Sequence, residues 1–240
     1  MNTPVLFYGV PQGCSFGSIV ALEWLGEPYQ LCRIEMLEHP WPALYAKVNP
    51  RNLTPGYLDA ANQPLSESAA ILSHIAARAP ERGLGFAPGT RGNDQLAQML
   101  SFLTTDFFAA FAPLWAAYEM QDADDATRTV LTRLGSADVA QNFATLDALL
   151  ATRDWLVGGQ RTVADAYLPG IARWAAYHRL FDAARDYPNV ARYLARIQQD
   201  PAWQFATAIE RKAVASSSGG FAGHVTLEEL RPRLAAIVAD

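Results

Sequence analysis

Residues 5–36 read VLFYGVPQGCSFGSIVALEWLGEPYQLCRIEM, and this stretch decides the fold. Val5-Leu6-Phe7-Tyr8 is a short apolar run stopped by Gly9 and Pro11, which is the pattern of a buried strand. From Ser15 to Leu25 the apolar residues Phe16, Ile19, Val20, Leu22 and Leu25 recur at helical spacing, and Gly26 stands where a C-cap would. Tyr29 to Met36 alternates apolar and polar residues, with Cys32 and Arg33 breaking the strict pattern. A helix between two such strands is a βαβ unit, with parallel strands and a right-handed crossover.

Working outward, Ala43 to Val48 predicts a helical turn or two. Asn49-Pro50 through Thr54-Pro55 is irregular. Gly56 to Asp59 and Gln63 to Leu65 predict two short strands, and Ser66 to Arg78 a helix. Residues 1–80 therefore form one α/β unit, and 81–92, rich in Pro, Gly and Arg, a linker. From 93 to 215 the patterns are helical. A long aromatic-rich helix over Asp94 to about Tyr118 is expected to break near Pro113. Further helices are expected over Ala126 to Thr152, Thr162 to His178, Asn189 to Gln198 and Ala202 to Glu210. Residues 216–240 read as a flexible Ser/Gly segment and a last helix over Thr226 to Val238, capped by Thr226-Leu227-Glu228-Glu229.

Composition narrows the function classes. Half of the 240 residues are hydrophobic and 18% are charged, which excludes global disorder. A net charge of −5 argues against a nucleic-acid binder. Met1-Asn2-Thr3-Pro4 carries no positive n-region, and the apolar stretch Phe107 to Tyr118 is short for a spanning helix, so neither a signal peptide nor a membrane partner is expected. Two cysteines make no disulfide framework, which suits a reducing, cytoplasmic compartment. The four histidines show no metal-ligand spacing, so no metal is expected.

Three places carry candidate chemistry. Cys14 opens the first helix, whose amides favour a thiolate. Ser15 beside it and Tyr8 at the strand end are further hydroxyl donors. Position alone leaves Cys14 equally readable as a small packing residue. Thr54-Pro55 enters a strand. A trans proline is favoured by base rate, whereas a cis bond would turn the Thr54 N–H and C=O outward toward an extended peptide. Ser66-Glu67-Ser68 opens the third helix, where free amides and the Ser68 hydroxyl suit a carboxylate and Glu67 an ammonium. Plain helix capping uses the same residues. Thr162-Val163-Ala164-Asp165 is a capping box that fixes the entry of a buried helix. Phe102, Phe107, Phe108, Phe111 and Trp115 read as a core and interface stripe.

Together these stretches resemble the cytosolic glutathione transferases, from Val5 to about Ala206. The resemblance rests on Asn49-Pro50 to Thr54-Pro55, Glu67-Ser68-Ala69-Ala70-Ile71, Trp155-Leu156-Val157-Gly158-Gly159 and Thr162 to Leu168. Pro11-Gln12-Gly13-Cys14-Ser15 is most like the bacterial beta class. The resemblance implies an N-terminal thioredoxin-like domain that binds glutathione as co-substrate and an all-helical C-terminal domain. It also implies that Cys14 contacts glutathione or forms a mixed disulfide with it. Thr54, beside a cis Pro55, would pair with its cysteinyl part, and Glu67 and Ser68 would hold the γ-glutamyl end. Ser101, Thr105 and Asp106 match polar positions near that end, Asp106 reaching the ammonium from a partner subunit in a homodimer. His39 falls where the class has a lysine, and Phe108 where it has a histidine. A second-substrate pocket would be lined by Val10, Phe108 and Phe111.

The implied activity is attack by the glutathione thiolate on a small hydrophobic electrophile or a disulfide. The alternatives are a non-catalytic binding or partner-interaction module of the same fold, and a carrier of a hydrophobic ligand between the domains.

Overall fold

The computed structural model describes residues 2–237. β1 (Val5–Val10), α1 (Phe16–Leu25) and β2 (Tyr29–Glu35) form the expected unit, with β1 and β2 parallel and Val5 opposite Gln30. β3 (Gly56–Leu58) and β4 (Pro64–Ser66) add antiparallel strands, and α2 (Ser68–Arg78) follows. β1 is covered on both faces, which is why its sequence is continuously apolar instead of alternating. One face, with Leu6 and Tyr8, packs under α1. The other, with Val5 and Phe7, packs on Tyr45 and Val48 around a short 3₁₀ turn at Tyr45–Lys47.

The helical half comprises α3 (Arg91–Phe102), α4 (Ala112–Glu119), α5 (Asp125–Leu150), α6 (Val163–Tyr177), α7 (Ala183–Asp186), α8 (Pro188–Gln198) and α9 (Pro201–Glu210). The expected break near Pro113 lies earlier. A π turn at Leu103–Phe107 and a 3₁₀ turn at Ala109–Phe111 separate α3 from α4. The Thr104 and Thr105 hydroxyls donate to the Leu100 and Ser101 carbonyls (2.8 and 2.9 Å), local bonds that compete with a regular helical ladder. Pro113 sits in the first turn of α4, where its missing N–H costs no hydrogen bond. By length and composition the run Arg91–Glu119 would suit a membrane, but Leu96, Leu100, Leu103, Phe107, Phe111 and Leu114 along it lie in the core.

The two halves meet where α1 lies on α6. A Cβ on Gly17 would stand 2.6 Å from the Tyr167 Cα, so only glycine allows the helices to come this close. The capping box at the start of α6 is present and larger than the sequence reading allowed. The buried Asp165 carboxylate accepts from the Thr162 N–H (2.7 Å) and hydroxyl (3.0 Å), the Leu156 N–H (3.0 Å) and the Tyr193 hydroxyl (2.8 Å).

The C-terminal segment departs most from expectation. Ser216 to Gly220 wraps a carboxylate buried in the last turn of α1. Glu23 accepts from the Tyr29 hydroxyl (2.6 Å), the Ser217 hydroxyl (2.8 Å) and the Ser218 and Gly219 N–H groups (2.8 and 2.9 Å). β5 (Phe221–His224) then pairs parallel to β2, giving the sheet order β4-β3-β1-β2-β5 among the described residues. The Thr226–Glu229 cap forms as read, but the helix it was expected to open is confined to α10 (Arg231–Ala235). The expected end at Val238 lies outside the described residues. Leu230 and Leu234 close the far face of the sheet over Val5, Phe7 and Ile34. The tail thus completes its own chain's sheet.

Replacing Glu23 by Ala leaves the Tyr29 hydroxyl and two tail amides without their acceptor. Stability should fall by about 2–4 kcal/mol. Limited proteolysis should cut the segment 213–220 faster than in the parent protein. Unchanged cleavage there would show that Glu23 does not hold the tail.

Candidate active site

The β1–α1 loop is shaped by close approach. A Cβ on Gly9 would fall 2.2 Å from the Thr54 Oγ1, so the Asn49–Pro55 loop presses directly on the strand end. That loop is built from within. The buried Asn49 donates through Nδ2 to the Leu53 carbonyl (2.7 Å) and accepts from the Arg51 N–H (3.1 Å). The Tyr45 hydroxyl donates to the same carbonyl (2.8 Å). The Thr54–Pro55 bond is cis, as are Val10–Pro11 and His39–Pro40.

Cys14 sits where loop, helix and Thr54 meet. Its thiol donates to the Thr54 carbonyl at 3.1 Å, and the Ser68 hydroxyl at the start of α2 also faces it. No acceptor among the described residues pairs with the Thr54 N–H. Burial pushes the Cys14 thiol up from the usual 9.0 to about 11. The Ser68 hydroxyl, the loop backbone and the Arg173 guanidinium offset part of this, and Glu67 adds to it. The backbone at the start of α1 eases ionisation, as position suggested, but desolvation outweighs it. Glu67 occupies the left-handed region (φ 73°) just before α2, and its carboxylate pairs with Arg51 at 2.6 Å. Both side chains are exposed, so the pair contributes little to stability.

The domain families matched are "Glutathione S-transferase, N-terminal domain" over residues 18–83 and "Glutathione S-transferase, C-terminal domain" over residues 112–201. Among curated proteins, glutathione S-transferase GST-4.5 of Xanthomonas campestris pv. campestris is 33% identical over 176 residues. The match covers 70% of this chain and 81% of that one. The chain belongs to the glutathione S-transferase family. A sphingomonad glutathione S-transferase solved in complex with glutathione superposes with a TM-score of 0.77 at 31% identity, covering 87% of this chain and all of the other. A beta-class enzyme of Sphingomonas chungbukensis gives 0.76 at 28% identity, covering 86% and 98%.

The structure brings Thr54 and Ser68 to Cys14 but commits the Ser15 and Tyr8 hydroxyls elsewhere. Ser15 is fully buried, and its hydroxyl accepts from the Gly9 N–H (3.0 Å), tying β1 to α1 and facing away from solvent. Tyr8 points toward the tail strand. Its hydroxyl lies 3.1 Å from His224 Nε2, and Arg33 stands 6.0 Å from its ring. Burial raises the Tyr8 pKa, and Arg33 offsets part of the rise. Val10 and Phe111 are buried. Phe108 is 36% exposed, its ring 5.6 Å from that of Trp174. His39 is exposed and stacks on Trp41 at 6.0 Å. Ser101 near the end of α3 and Thr105 and Asp106 on the π turn are exposed, and the Thr105 hydroxyl donates to the Asp106 carboxylate at 2.8 Å.

The sequence reading missed three α6 residues at the site. The Tyr167 hydroxyl is buried beside Ser68 and Cys14, and burial raises its pKa. Arg173 and Trp174 reach the Cys14 loop from across the domain boundary. Helical spacing had marked Trp174 as core, and nothing local to α6 signals a partner some 160 residues away.

A thiol held near 11 is neutral at physiological pH. Alkylation of Cys14 by iodoacetamide should therefore be slow at pH 7 and climb with pH beyond 9. The raised folded-state value contributes stability that is present below the ordinary thiol value of 9.0 and lost as pH rises through about 11. Denaturant titrations of the parent and Cys14→Ala proteins should then converge over that window. A profile that plateaus below pH 8 would contradict the burial argument.

Proposed function

We propose that this chain is a glutathione transferase that holds reduced glutathione extended along the rim made by Cys14, Thr54 and Ser68. The observation that carries this is the meeting of three groups at one place. They are the Cys14 thiol on the Thr54 carbonyl at 3.1 Å, the unpaired Thr54 N–H, and the Ser68 hydroxyl with the first amides of α2. An extended peptide would pair with Thr54 as an added strand does. A carboxylate would sit on the α2 amides, and Glu67 would take an ammonium group. Glutathione offers all three groups in this order. The sphingomonad enzyme of the same fold was solved with glutathione bound.

In this reading the bound thiolate attacks an electrophilic second substrate. Its sulfur bonds to the electrophilic carbon, and the leaving group departs with the bonding pair. The second substrate is hydrophobic, supported by Phe108 and Trp174 beside the Cys14 loop. We further propose a homodimer, supported by the exposed apolar side chains Leu53, Val130 and Leu134, and a cytoplasmic location, supported by the unpaired thiols Cys14 and Cys32.

Reduced glutathione should raise the melting temperature in a concentration-dependent way. Ligand at a hundredfold its Kd stabilises by about 2.7 kcal/mol. Ser68→Ala should weaken the shift, and no shift at millimolar glutathione would refute the site. Sedimentation at micromolar concentration should show a dimer. A monomer there would remove Asp106 of a second subunit from the glutathione site.

A further inference from the structure

The Pro11–Gly13 loop that presents Cys14 is not held by its own domain alone. Gln12 stands at φ 40°, in the left-handed region, where a non-glycine residue persists only if its surroundings over-determine it. Two consecutive residues of α6 supply that hold. The Trp174 indole N–H donates to the Gln12 carbonyl at 3.0 Å. The Arg173 guanidinium donates through Nη2 toward the Gly13 carbonyl at 3.4 Å and lies 4.3 Å from the Phe16 ring. Arg173 is itself fixed from three sides. Its Nε donates to the Gly170 carbonyl (2.8 Å), and its two terminal nitrogens take the Glu210 carboxylate in a fork at 2.5 and 2.8 Å. Glu210 ends α9 and is nearly buried, and its own carbonyl accepts from Arg33 of β2 at 3.3 Å.

We infer that Arg173, oriented by Glu210 and seconded by Trp174, is a positioning residue for Cys14, setting the loop geometry and the positive field in which its sulfur works. The inference rests on the reading that the Cys14 loop lines the glutathione site. Structural stability alone does not explain the arrangement. Replacing a buried ion pair by apolar side chains is often neutral for stability, yet here one Arg173 donor is spent on the Gly13 carbonyl that precedes Cys14, while Trp174 takes the Gln12 carbonyl before it. The fork geometry also requires arginine, since a lysine ammonium cannot bind a carboxylate in two places and still aim a third donor at the Gly13 carbonyl. The charged groups that act on the Cys14 sulfur are Arg173 and Glu67, so Arg173 is the cation whose removal the thiol would sense.

The test compares Arg173→Met, Arg173→Lys and Trp174→Phe with Arg233→Met. Arg233 is a control on the far face, where it bonds Asn62, Asp59 and the Thr3 carbonyl, remote from the loop. Iodoacetamide labelling of the Cys14 peptide is followed by mass spectrometry from pH 7 to 11. Glutathione KM and kcat are measured with an aromatic chloride electrophile. Arg173→Met should slow labelling about threefold or more below the thiol pKa and raise KM more than it lowers kcat. Arg173→Lys should restore most of the labelling rate, because it keeps the charge, but not KM, because it loses the fork. Trp174→Phe, which keeps the ring and removes one donor, should raise KM with little change in labelling, and it carries the test if Arg173→Met does not fold. Arg233→Met should lower the melting temperature and move neither readout. Arg173→Met labelling and KM equal to those of the parent protein would overturn the inference. Labelling needs no glutathione. A parent protein that shows the Arg173 effect on labelling but no glutathione-dependent melting shift would therefore sink the substrate reading and leave the positioning role standing.

Discussion

Everything in this molecule is arranged around one helix that has no outer surface. All ten residues of α1 are buried, because the sheet covers one side, α2, α6 and α9 cover others, and the C-terminal segment closes the last. A helix in that position cannot be amphipathic, and its polar residues must find partners inside the protein. Gly17 is the contact point with α6, where any side chain would strike the Tyr167 backbone. Glu23 is the other consequence. A carboxyl group in the interior needs donors, and the donors come from Tyr29 and from Ser217, Ser218 and Gly219. The tail is therefore less an appendage than the missing wall of the α1 environment.

The same constraint explains what was legible in the sequence. The βαβ unit, the strand pair and α2 follow from local periodicity and from Gly26, whose left-handed backbone closes α1 as read. The Thr162–Asp165 start of α6 was legible because a capping box is a local device. The π turn was not, since it arises from threonine hydroxyls competing for carbonyls within a run whose apolar pattern is continuous. The tail departs from its expectation for a related reason. Ser216 to Gly220 has the composition of a flexible linker, and only a carboxylate 195 residues earlier in the chain makes it ordered.

The candidate site divides along the same line. Cys14, Thr54 and Ser68 sit at the ends of elements whose order was readable, and their meeting follows from the thioredoxin-like topology. Ser15 and Tyr8 share those elements and still point away. The Ser15 hydroxyl is used to join β1 to α1, and Tyr8 is drawn to His224, a residue of the strand the sequence did not reveal. Side-chain direction at a strand end depends on what the neighbouring strand offers, and here that neighbour comes from the far end of the chain.

The thiol itself shows how burial and binding are linked. A proton shared between Cys14 and the Thr54 carbonyl favours the neutral sulfur, and desolvation works in the same direction. The acceptor that holds this proton is also one of the two backbone groups an extended peptide would engage. A ligand amide that took the Thr54 carbonyl either shares its second lone pair with the thiol or displaces it. Displacement would leave the sulfur with the Ser68 hydroxyl and the Arg173 field, both of which favour the thiolate. In the proposed complex, the contact that holds the Cys14 proton is the one a bound peptide would compete for, so the thiol's reactivity would depend on whether the rim is occupied.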